Sequence, residues 1–363
     1  MESMAVNYQG FWRDKRVLVT GHTGFKGSWL CEWLLDLGAS ICGLSLPAPT
    51  QPSLFEQLAL GKRLDHHIAD IRDLELVQKL IVEWQPEILF HLAAQPLVRR
   101  SYIEPIETWS VNVMGTVHVL EALKALHSDC VGLFITTDKC YENREWLHGY
   151  RENDPLGGYD PYSSSKAGAE LAIASWRNSF FQSSNVRIAS ARAGNVIGGG
   201  DWAEDRIVPD AMRALGRGDP IPVRNPQATR PWQHVLEPLS GYLLLAQSLY
   251  QADDLRRRKL CSAFNFGPAL DSNRPVRDLV EAILSHWSGS WLDQSDPLAV
   301  HEANLLNLAT DKAFHILDWQ PRWNFEQTIK ETVSWYREAE SSGYDSSFLQ
   351  QLTLQQIHRY QQS

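Results

Sequence analysis

The chain begins with short apolar runs that alternate with longer segments in which apolar residues recur at helical spacing. Residues 16–20 (RVLVT) are apolar and partly β-branched, with charge before them and Gly21 after them. This pattern is typical of a buried strand. The following apolar residues have the period of an α-helix that Gly38 closes: Trp29, Leu30, Trp33, Leu34 and Leu37. The first unit is therefore a strand, a glycine-containing loop and a helix.

The same alternation repeats along the chain. We predict buried strands at residues 39–46, 88–94 and 131–137, a strand end at residues 66–69, and a helix at residues 110–126. Strands that alternate with helices imply a parallel sheet, with ligands bound at the carboxyl ends of its strands. The predicted fold class is α/β: a Rossmann-like, doubly wound parallel sheet with a smaller, mostly C-terminal substrate lobe.

The loop after the first strand, residues 21–27 (GHTGFKG), carries glycines at every third position. In such a unit the backbone N–H groups approach a pyrophosphate at the positive end of the following helix. A plain strand-to-helix turn is the alternative, because the spacing differs from G-x-G-x-x-G. The residues expected to bind a dinucleotide here are Gly21, Thr23, Gly24, Phe25, Lys26 and Gly27.

Other predicted strand ends add to this cofactor site. A carboxylate at Asp70 could meet the adenine amino group, and small residues after residue 91 would let a cofactor pass closely. The second strand ends without the acid that binds the ribose of NAD and without an arginine for a 2′-phosphate. We predict NAD, with NADP left open. The further cofactor-binding residues are Asp70, Ile71, Leu92, Ala93, Ala94, Gln95 and Thr136.

Tyr162 and Lys166 stand four residues apart on a predicted helix that continues to residue 181, so both side chains share one face. A phenol has a pKa of about 10 in water. A cationic amine beside it favours the phenolate, and the lysine can also hold the nicotinamide ribose. An ordinary surface Tyr and Lys is the alternative. Because the pair follows a nucleotide-binding loop, it predicts nicotinamide-dependent redox chemistry.

Composition narrows the class of protein. The chain has 363 residues and a net charge of −9, which argues against a nucleic-acid surface. Its five cysteines lack paired spacing and its histidines include no H-x-x-x-H, so we expect reduced thiols, a cytoplasmic protein and no metal site. We find no signal peptide and no apolar stretch near the ~20 residues of a membrane span.

Longer strings identify a resemblance to the extended short-chain dehydrogenase/reductase superfamily. Over roughly residues 10–340 the chain is most similar to the nucleotide-sugar 4,6-dehydratases, and within them to the branch that acts on CDP-glucose. The strings that carry the resemblance are residues 21–29 (GHTGFKGSW), 95–99 (QPLVR), 136–143 (TTDKCYEN), 157–166 (GGYDPYSSSK), 192–202 (RAGNVIGGGDW) and 230–237 (RPWQHVLE).

The resemblance implies a mechanism. Tyr162 would take the proton of the sugar 4-hydroxyl while hydride leaves C4, and Thr137 would steady that hydroxyl. Asp138 and Lys139 would then remove the C5 proton and protonate the departing C6 hydroxyl. The dTDP-glucose relatives are expected to have Asp-Glu where this chain has Asp-Lys, which favours the CDP-glucose branch. Whether Lys139 is the base or an electrostatic stabiliser of the enolate stays open at this point. The implied pathway is deoxysugar biosynthesis for lipopolysaccharide O-antigen.

The resemblance also implies the substrate site. Asn195 and Arg230 resemble the residues that meet the nucleotide diphosphate, and a guanidinium suits two phosphate oxygens at once. Weaker candidates for substrate binding are Arg99, Arg206 and His234, and Thr137 would contact the sugar. Nothing derived from the residues themselves identifies cytosine.

The two expected lobes cross over along the chain. We expect the NAD-binding domain at residues 1–193 plus about 234–268, and the sugar-nucleotide lobe at about 194–233 plus 269–363, with a strand at 186–191 and an amphipathic helix at 324–336. Excess apolar positions on the helices at 110–126 and 162–181 predict a homodimer. Alternative functions are a GDP-mannose or dTDP-glucose 4,6-dehydratase, a 4-epimerase, a 4-ketoreductase, or a cofactor-binding regulator without turnover.

Overall fold

The computed structural model describes Tyr8, residues 10–295 and residues 305–363. The strands are β1 (Arg16–Thr20), β2 (Ser40–Ser45), β3 (Asp65–Ile68), β4 (Ile88–His91), β5 (Cys130–Ile135), β6 (Val186–Ala193), β7 (Val196–Ile197), β8 (Ile221–Val223), β9 (Thr229–Pro231), β10 (Gln233–His234), β11 (Ala263–Phe266), β12 (Asn273–Pro275) and β13 (Trp291–Asp293). The α-helices are α1 (Phe25–Asp36), α2 (Leu54–Gln57), α3 (Leu74–Trp84), α4 (Val98–Ile103), α5 (Pro105–Trp109), α6 (Gly115–Leu123), α7 (Pro161–Ser179), α8 (Ile207–Arg217), α9 (Leu236–Tyr250), α10 (Asp254–Leu260), α11 (Val276–His286), α12 (Asp311–Leu317), α13 (Phe325–Ser341) and α14 (Ser346–Gln362).

Seven strands form one parallel sheet in the order β11-β6-β5-β4-β1-β2-β3. The order reverses between β1 and β4, and in open sheets of this kind ligands bind at such a switch point, beyond the carboxyl ends of the strands. The predicted fold class is confirmed. The late strand β11 joins the sheet beside β6, after a long excursion of the chain into a second group of elements.

Alternating residues of the strands face two different layers of helices. Val17 and Val19 of β1 pack into the core cluster that includes α1 and α9, whereas Leu18 packs into the cluster formed with α3 and α6. Strands buried on both faces read as continuous apolar runs, which is why the sequence pattern detected them. Among the described residues, no helix is both long and apolar enough to cross a membrane.

The segment predicted as one helix at residues 110–126 is divided in the structure. Residues Ser110–Met114 form a π-helical turn, and α6 follows it. The wider turn directs Asn112 inward, where its amide donates to the Gln95 carbonyl at 3.1 Å and to the Ser165 hydroxyl at 2.9 Å. Single π-helical turns of this kind are frequent at functional sites. This one joins the loop after β4 to the helix that carries Tyr162.

The remaining elements are short and pair across long sequence separations. β7 pairs with β10, β8 with β13, and β9 with β12. The helix predicted at 324–336 is α13, which continues to Ser341, and the strand predicted at 186–191 is β6, which continues to Ala193. The longer β6 places Asn195 directly beyond the carboxyl edge of the main sheet.

Candidate active site

The glycine loop between β1 and α1 has the shape that a pyrophosphate requires. Gly21 has a φ of +77°, and a Cβ on it would lie 2.6 Å from the backbone nitrogen of Ala93. A Cβ on Gly27 would overlap the carbonyl oxygen of Gly21. Gly24 precedes α1 without a capping side chain from the described part of the chain. The N–H groups of the first turn of α1 therefore face a concave loop, which suits an anion.

The end of β2 next to this loop is occupied by hydroxyl groups. Thr23 Oγ1 lies 2.8 Å from Ser45 Oγ and donates to the Leu46 carbonyl at 3.0 Å. Asp70, predicted at the adenine, accepts from the Arg72 guanidinium at 2.6 and 3.0 Å, and the arginine lowers the pKa of Asp70. The sequence analysis did not identify Arg72. Its contact fixes the carboxylate of Asp70 in its charged form.

The loop after β4 passes close to the glycine loop. Ala93 N donates to Thr20 Oγ1 at 3.3 Å, which ties the small residues after β4 to the end of β1. Gln95 is buried, and its side-chain amide donates to Thr108 Oγ1 at 2.9 Å while its oxygen accepts from Leu97 N at 2.6 Å. These contacts assign the Gln95 side chain to shaping the loop.

Local capping sets the direction of Tyr162 and Lys166. Asp160 caps α7 by accepting from Ser163 N at 2.9 Å, and Pro161 occupies the first helical position. Tyr162 is therefore in the first turn, with Lys166 one turn later, and both side chains are buried. The Lys166 amine donates to the Ile135 carbonyl at 3.4 Å, at the end of β5.

The predicted effect of Lys166 on the tyrosine needs correction for this structure. Burial raises the pKa of Tyr162 to about 12, and hydrogen bonding to Thr137 acts in the opposite direction without overcoming it. Burial lowers the pKa of Lys166 to about 8, and the charge of Glu170 opposes that change. The phenol is therefore protonated at neutral pH, because the loss of water around it outweighs the opposing effects of Thr137 and Arg206.

A compact polar cluster follows β5. Thr137 Oγ1 donates to Asp138 Oδ1 at 2.9 Å, and Lys139 Nζ lies 3.9 Å from the same carboxylate oxygen. Lys139 also donates to Asn195 Oδ1 at 3.3 Å. The carboxylate of Asp138 is fully buried, whereas 27% of the Lys139 side chain is exposed. The structure thus brings a buried acid and an accessible amine to the edge where Tyr162 lies.

Gly194 allows this close arrangement, although the sequence analysis did not select it. A Cβ at position 194 would lie 2.7 Å from Asp138 Oδ2. Any larger residue would push the carboxylate away from Thr137. The signal available in the sequence was that Gly194 directly precedes Asn195 in the glycine-containing string at residues 192–202.

Two of the predicted cationic residues share this interior. The Lys26 amine lies 3.5 Å from the Tyr242 hydroxyl, and burial lowers the pKa of Lys26 to about 7, with Arg206 and Lys166 contributing. Arg206 forms an ion pair with Asp201 at 2.9 Å and also acts electrostatically on Tyr162. The cluster therefore carries several positive groups near the phenol, a suitable environment for a ligand with phosphates.

The remaining predicted substrate residues lie on separate elements. Arg230 is on β9 and donates to its neighbouring Thr229 carbonyl at 2.9 Å, and Arg99 is on α4; both are half-buried. His234 is placed differently from the prediction. It is fully buried between Trp29 and Trp323, with ring centroids at 5.9 and 4.9 Å, and burial lowers its pKa to about 3. The structure assigns His234 to the core, because its neighbours exclude ligand and solvent.

Comparison with known proteins places this site in a family. The family model for GDP-mannose 4,6 dehydratase matches residues 18–332 of the chain. The chain belongs to this family of sugar-nucleotide 4,6-dehydratases. A CDP-glucose 4,6-dehydratase of Salmonella typhimurium is 51% identical over 338 residues, which cover 91% of this chain and 92% of that protein. The resemblance inferred from the sequence is confirmed.

More distant dehydratases share the fold. A dTDP-glucose 4,6-dehydratase of Haemophilus influenzae is 24% identical, with 88% of this chain and 97% of that protein covered. The crystal structure of DesIV, a dTDP-glucose 4,6-dehydratase of Streptomyces venezuelae with NAD and TYD bound, matches with a TM-score of 0.76 and 23% identity, covering 92% of this chain and 99% of that one.

Proposed function

We propose that this member of the dehydratase family converts CDP-glucose to CDP-4-keto-6-deoxyglucose with NAD as cofactor. The observation that carries the proposal is the cluster of Thr137, Asp138 and Lys139 beside Tyr162: a redox pair next to a buried acid and an accessible amine. Oxidation at C4 requires Tyr162, whereas loss of water across C5 and C6 requires a second acid/base pair. CDP as the nucleotide is supported by the relative that is 51% identical.

The residues of the glycine loop fit a dinucleotide. Gly21 and Gly27 let the loop pack closely against Ala93 and against itself, and the first turn of α1 supplies N–H donors for a pyrophosphate. Lys166 would hold the nicotinamide ribose. The bound NAD would supply the acceptor for hydride from C4 of the sugar and the donor for its return to C6.

In the redox step, Tyr162 accepts the proton of the C4 hydroxyl, and Thr137 orients that hydroxyl. Because burial raises the pKa of the phenol to about 12, its deprotonation must be favoured by nearby positive charge. Arg206 and Lys166 are the residues of this chain placed for that role.

In the elimination step, the 4-keto group acidifies the C5 hydrogen. We assign Asp138 as the acid that protonates the departing C6 hydroxyl, because its carboxyl is buried and held by Thr137. Lys139 would act at C5 either as the base or as a cation beside the enolate. Lys139→Arg and Lys139→Gln separate these roles, because arginine keeps the charge but does not release a proton. Activity retained by the arginine variant alone would assign the electrostatic role.

We assign the diphosphate to Asn195, Arg206, Arg230 and Arg99. Asn195 lies in the loop between β6 and β7, Arg206 directly precedes α8, and the other two lie on β9 and α4, so the two lobes would contribute jointly. We take the NAD-binding lobe as residues 1–193 plus about 234–268, and the substrate lobe as about 194–233 plus 269–363. The position of β11 in the main sheet supports this division.

A second copy of the chain would cover an apolar face on α4, α5 and α7. Ile103 and Ile106 are 81% and 85% exposed, and Trp109, Met114 and Leu171 add to the same surface. Burial of such side chains favours association. We therefore propose a homodimer, and light scattering at micromolar concentration tests it; a monomer with this face exposed would contradict it.

We place the reaction in the cytoplasm and in deoxysugar biosynthesis, with lipopolysaccharide O-antigen as the expected destination. The five cysteines are unpaired, which suits a reducing compartment.

The test of function is a comparison of substrates in heavy water. CDP-glucose, dTDP-glucose, GDP-mannose and UDP-glucose are each incubated with enzyme and NAD, and products are identified by mass spectrometry and NMR. The proposal expects a 4-keto-6-deoxy product from CDP-glucose, with solvent deuterium at C5. A 4-epimerase would produce the 4-epimer and leave C5 unlabelled, and a regulator would produce nothing. Either result would overturn the proposal.

A further inference from the structure

A buried ion pair lies directly behind the Tyr162 and Lys166 pair. Glu170 stands four residues after Lys166 and eight after Tyr162 on α7, so the three side chains follow one face of the helix. Glu170 pairs with Arg192 of β6 at 2.7 Å, and their side chains are only 3% and 4% exposed. Neither residue belongs to the chemistry assigned above.

The Glu170 carboxylate accepts hydrogen bonds from three side chains of the described residues. Thr136 Oγ1 donates at 2.5 Å, Ser190 Oγ at 2.9 Å and Arg192 at 2.7 Å. Burial opposes its ionisation, but Arg192 and the hydrogen bonds outweigh burial and hold the pKa of Glu170 below its ordinary value. The carboxylate is therefore a fixed negative charge inside the protein.

Arg192 is also fixed by hydrogen bonds beyond its ion pair with Glu170. Arg192 also donates to the Tyr141 hydroxyl at 2.7 Å, and Tyr141 donates to Asn265 Oδ1 at 2.7 Å. A buried ion pair is weak evidence for stability, since apolar residues of similar volume often stabilise a protein equally well. Its position one turn from Lys166 suggests a role in the site instead.

The groups packed against Lys166 from other elements are the Ile135 carbonyl, which accepts from its amine, and side chains that are neutral or positive. Cys140 from the turn after β5 stays a thiol, because burial raises its pKa, and His91 of β4 stays neutral, because burial lowers its pKa to about 3. Lys26 of α1 is a second amine that faces Lys166. Arg192 of β6 adds a positive charge beyond Glu170. Among these neighbours, Glu170 alone supplies a negative charge.

We propose that Glu170 is a positioning residue that keeps Lys166 protonated and directed at the redox site, with Arg192 and Thr136 holding its carboxylate in place. This inference rests on the proposed function, in which Lys166 acts as a cation near Tyr162. Thr136 donates to Glu170 and directly follows Ile135, the last residue of β5. The Ile135 carbonyl accepts from Lys166.

The test is the pH dependence of turnover in Glu170→Gln. Loss of the negative charge disfavours the ammonium, so Lys166 should lose its proton at a lower pH than in the wild type. The alkaline limb of kcat should move down by about 1 pH unit or more, the usual effect of a nearby opposite charge. Near pH 6 the variant should approach wild-type activity, whereas well above pH 8 it should lose about tenfold for a shift of about 1 pH unit.

Glu32→Gln is the matched control. Glu32 is equally buried and pairs with Arg63 by two hydrogen bonds, at 2.5 and 3.0 Å, far along the chain from α7. Its loss should lower the melting temperature and leave the pH profile in place. Should Glu170→Gln not fold, the double variant Glu170→Gln/Arg192→Met removes both buried charges, and a smaller downward shift is expected, because loss of the Arg192 cation partly offsets loss of the Glu170 carboxylate.

The dissociation constant for NAD, measured against pH without substrate, gives a second readout. Its alkaline midpoint should move with that of kcat, because Lys166 is proposed to hold the nicotinamide ribose. A pH-independent loss of activity with both midpoints unmoved, as in Glu32→Gln, would overturn the inference. If the wild type makes no product from CDP-glucose, the proposed function fails, and the NAD midpoint still decides the role of Glu170.

Discussion

Two buried polar clusters of this protein are built in opposite ways. At the carboxyl edge of the sheet, Tyr162 and Lys166 are buried, and within the described chain no carboxylate lies at ion-pair distance from the Lys166 amine. At the other cluster, the Glu237 carboxylate accepts from Trp323 N at 2.7 Å, Arg322 N at 3.1 Å and the Tyr360 hydroxyl at 2.7 Å. The first cluster retains hydrogen-bonding capacity, whereas in the second the protein supplies donors for the Glu237 carboxyl group, although burial still raises the pKa of Glu237 to about 7.

The Glu237 cluster joins distant parts of the chain. Tyr8 donates to the Ser240 carbonyl at 3.0 Å, and Trp319 donates to the Ser240 hydroxyl at 2.8 Å, one turn along α9 from Glu237. Residues from the beginning, middle and end of the chain thus meet at one helix. The difference teaches that burial of polar groups serves stability where donors and acceptors match, and serves ligands where they do not.

The largest expected effect is that of Tyr162→Phe. Removal of the hydroxyl should lower turnover by at least about 10²-fold, the scale of a positioned acid/base group. Stability and NAD binding should be nearly unchanged, because the ring still fills its place. Steady-state kinetics and thermal unfolding check both parts. Unchanged turnover would remove Tyr162 from the mechanism.

Asp138→Asn should separate oxidation from elimination. The amide keeps the shape of the carboxyl but has no proton to give the C6 hydroxyl, so product formation should fall by about 10²-fold. Hydride transfer from C4 should persist, and reduced cofactor should accumulate as near-ultraviolet absorbance. An epimerase or reductase has no reason to accumulate it in this variant. Near-normal product formation would leave Lys139 or water as the acid.

Glu237→Leu should show the opposite profile. The Arg322 and Trp323 N–H groups and the Tyr360 hydroxyl would lose their acceptor, at a cost of about 3 kcal/mol in unfolding free energy. Turnover of the folded fraction should stay within about threefold of the wild type, because no reacting group is touched. Glu237→Gln, which keeps an acceptor, should lose less stability. Urea unfolding measures the difference, and a loss of turnover at unchanged stability would contradict the comparison.

The smallest expected effect concerns His91, a buried residue at the end of β4. Its ring bridges Thr20 at 2.7 Å and Thr116 at 3.1 Å, and burial lowers its pKa to about 3 from an ordinary value of 6.5. This contribution to stability is complete above pH 6.5 and is lost as the pH falls towards 3, since the unfolded chain binds the proton first. Between about pH 7.5 and pH 5 it amounts to about 2 kcal/mol.

His91→Gln should remove that pH dependence and keep a side chain able to reach both threonines. Urea unfolding at the two pH values measures it. An equal acid-induced loss of stability in the variant and the wild type would assign the effect to other groups.

Much of the site could be predicted because its signals are short-range. The alternation of strands and helices, the glycine loop and the Tyr162 and Lys166 spacing each lie within one element or one turn. Parallel strands then bring such residues to one edge of the sheet, whatever the details of packing. Thr137 and Asp138 were selected at the end of the predicted strand that is β5, whereas the roles of Asp138 and Lys139 came from the resemblance to the dehydratases.

Other features depended on residues that are far apart in sequence. His234 was predicted to bind the substrate because it lies in the string at residues 230–237, but in the structure Trp29 and Trp323 enclose its ring. The partners of Glu170, Asp70 and Glu237 were equally invisible in any local pattern. The π-helical turn at Asn112 has the same apolar periodicity as an ordinary helix, so only its contacts with Gln95 and Ser165 reveal it.

The sequence by itself therefore determined the sheet through its apolar periods and the family through its longer strings, and it predicted the cofactor loop and the Tyr162 and Lys166 pair from local spacing. The tertiary structure decided which polar groups are charged, which are enclosed and which remain open to a ligand. Burial and pairing set those properties, and both depend on the side chains that folding brings together from distant parts of the chain.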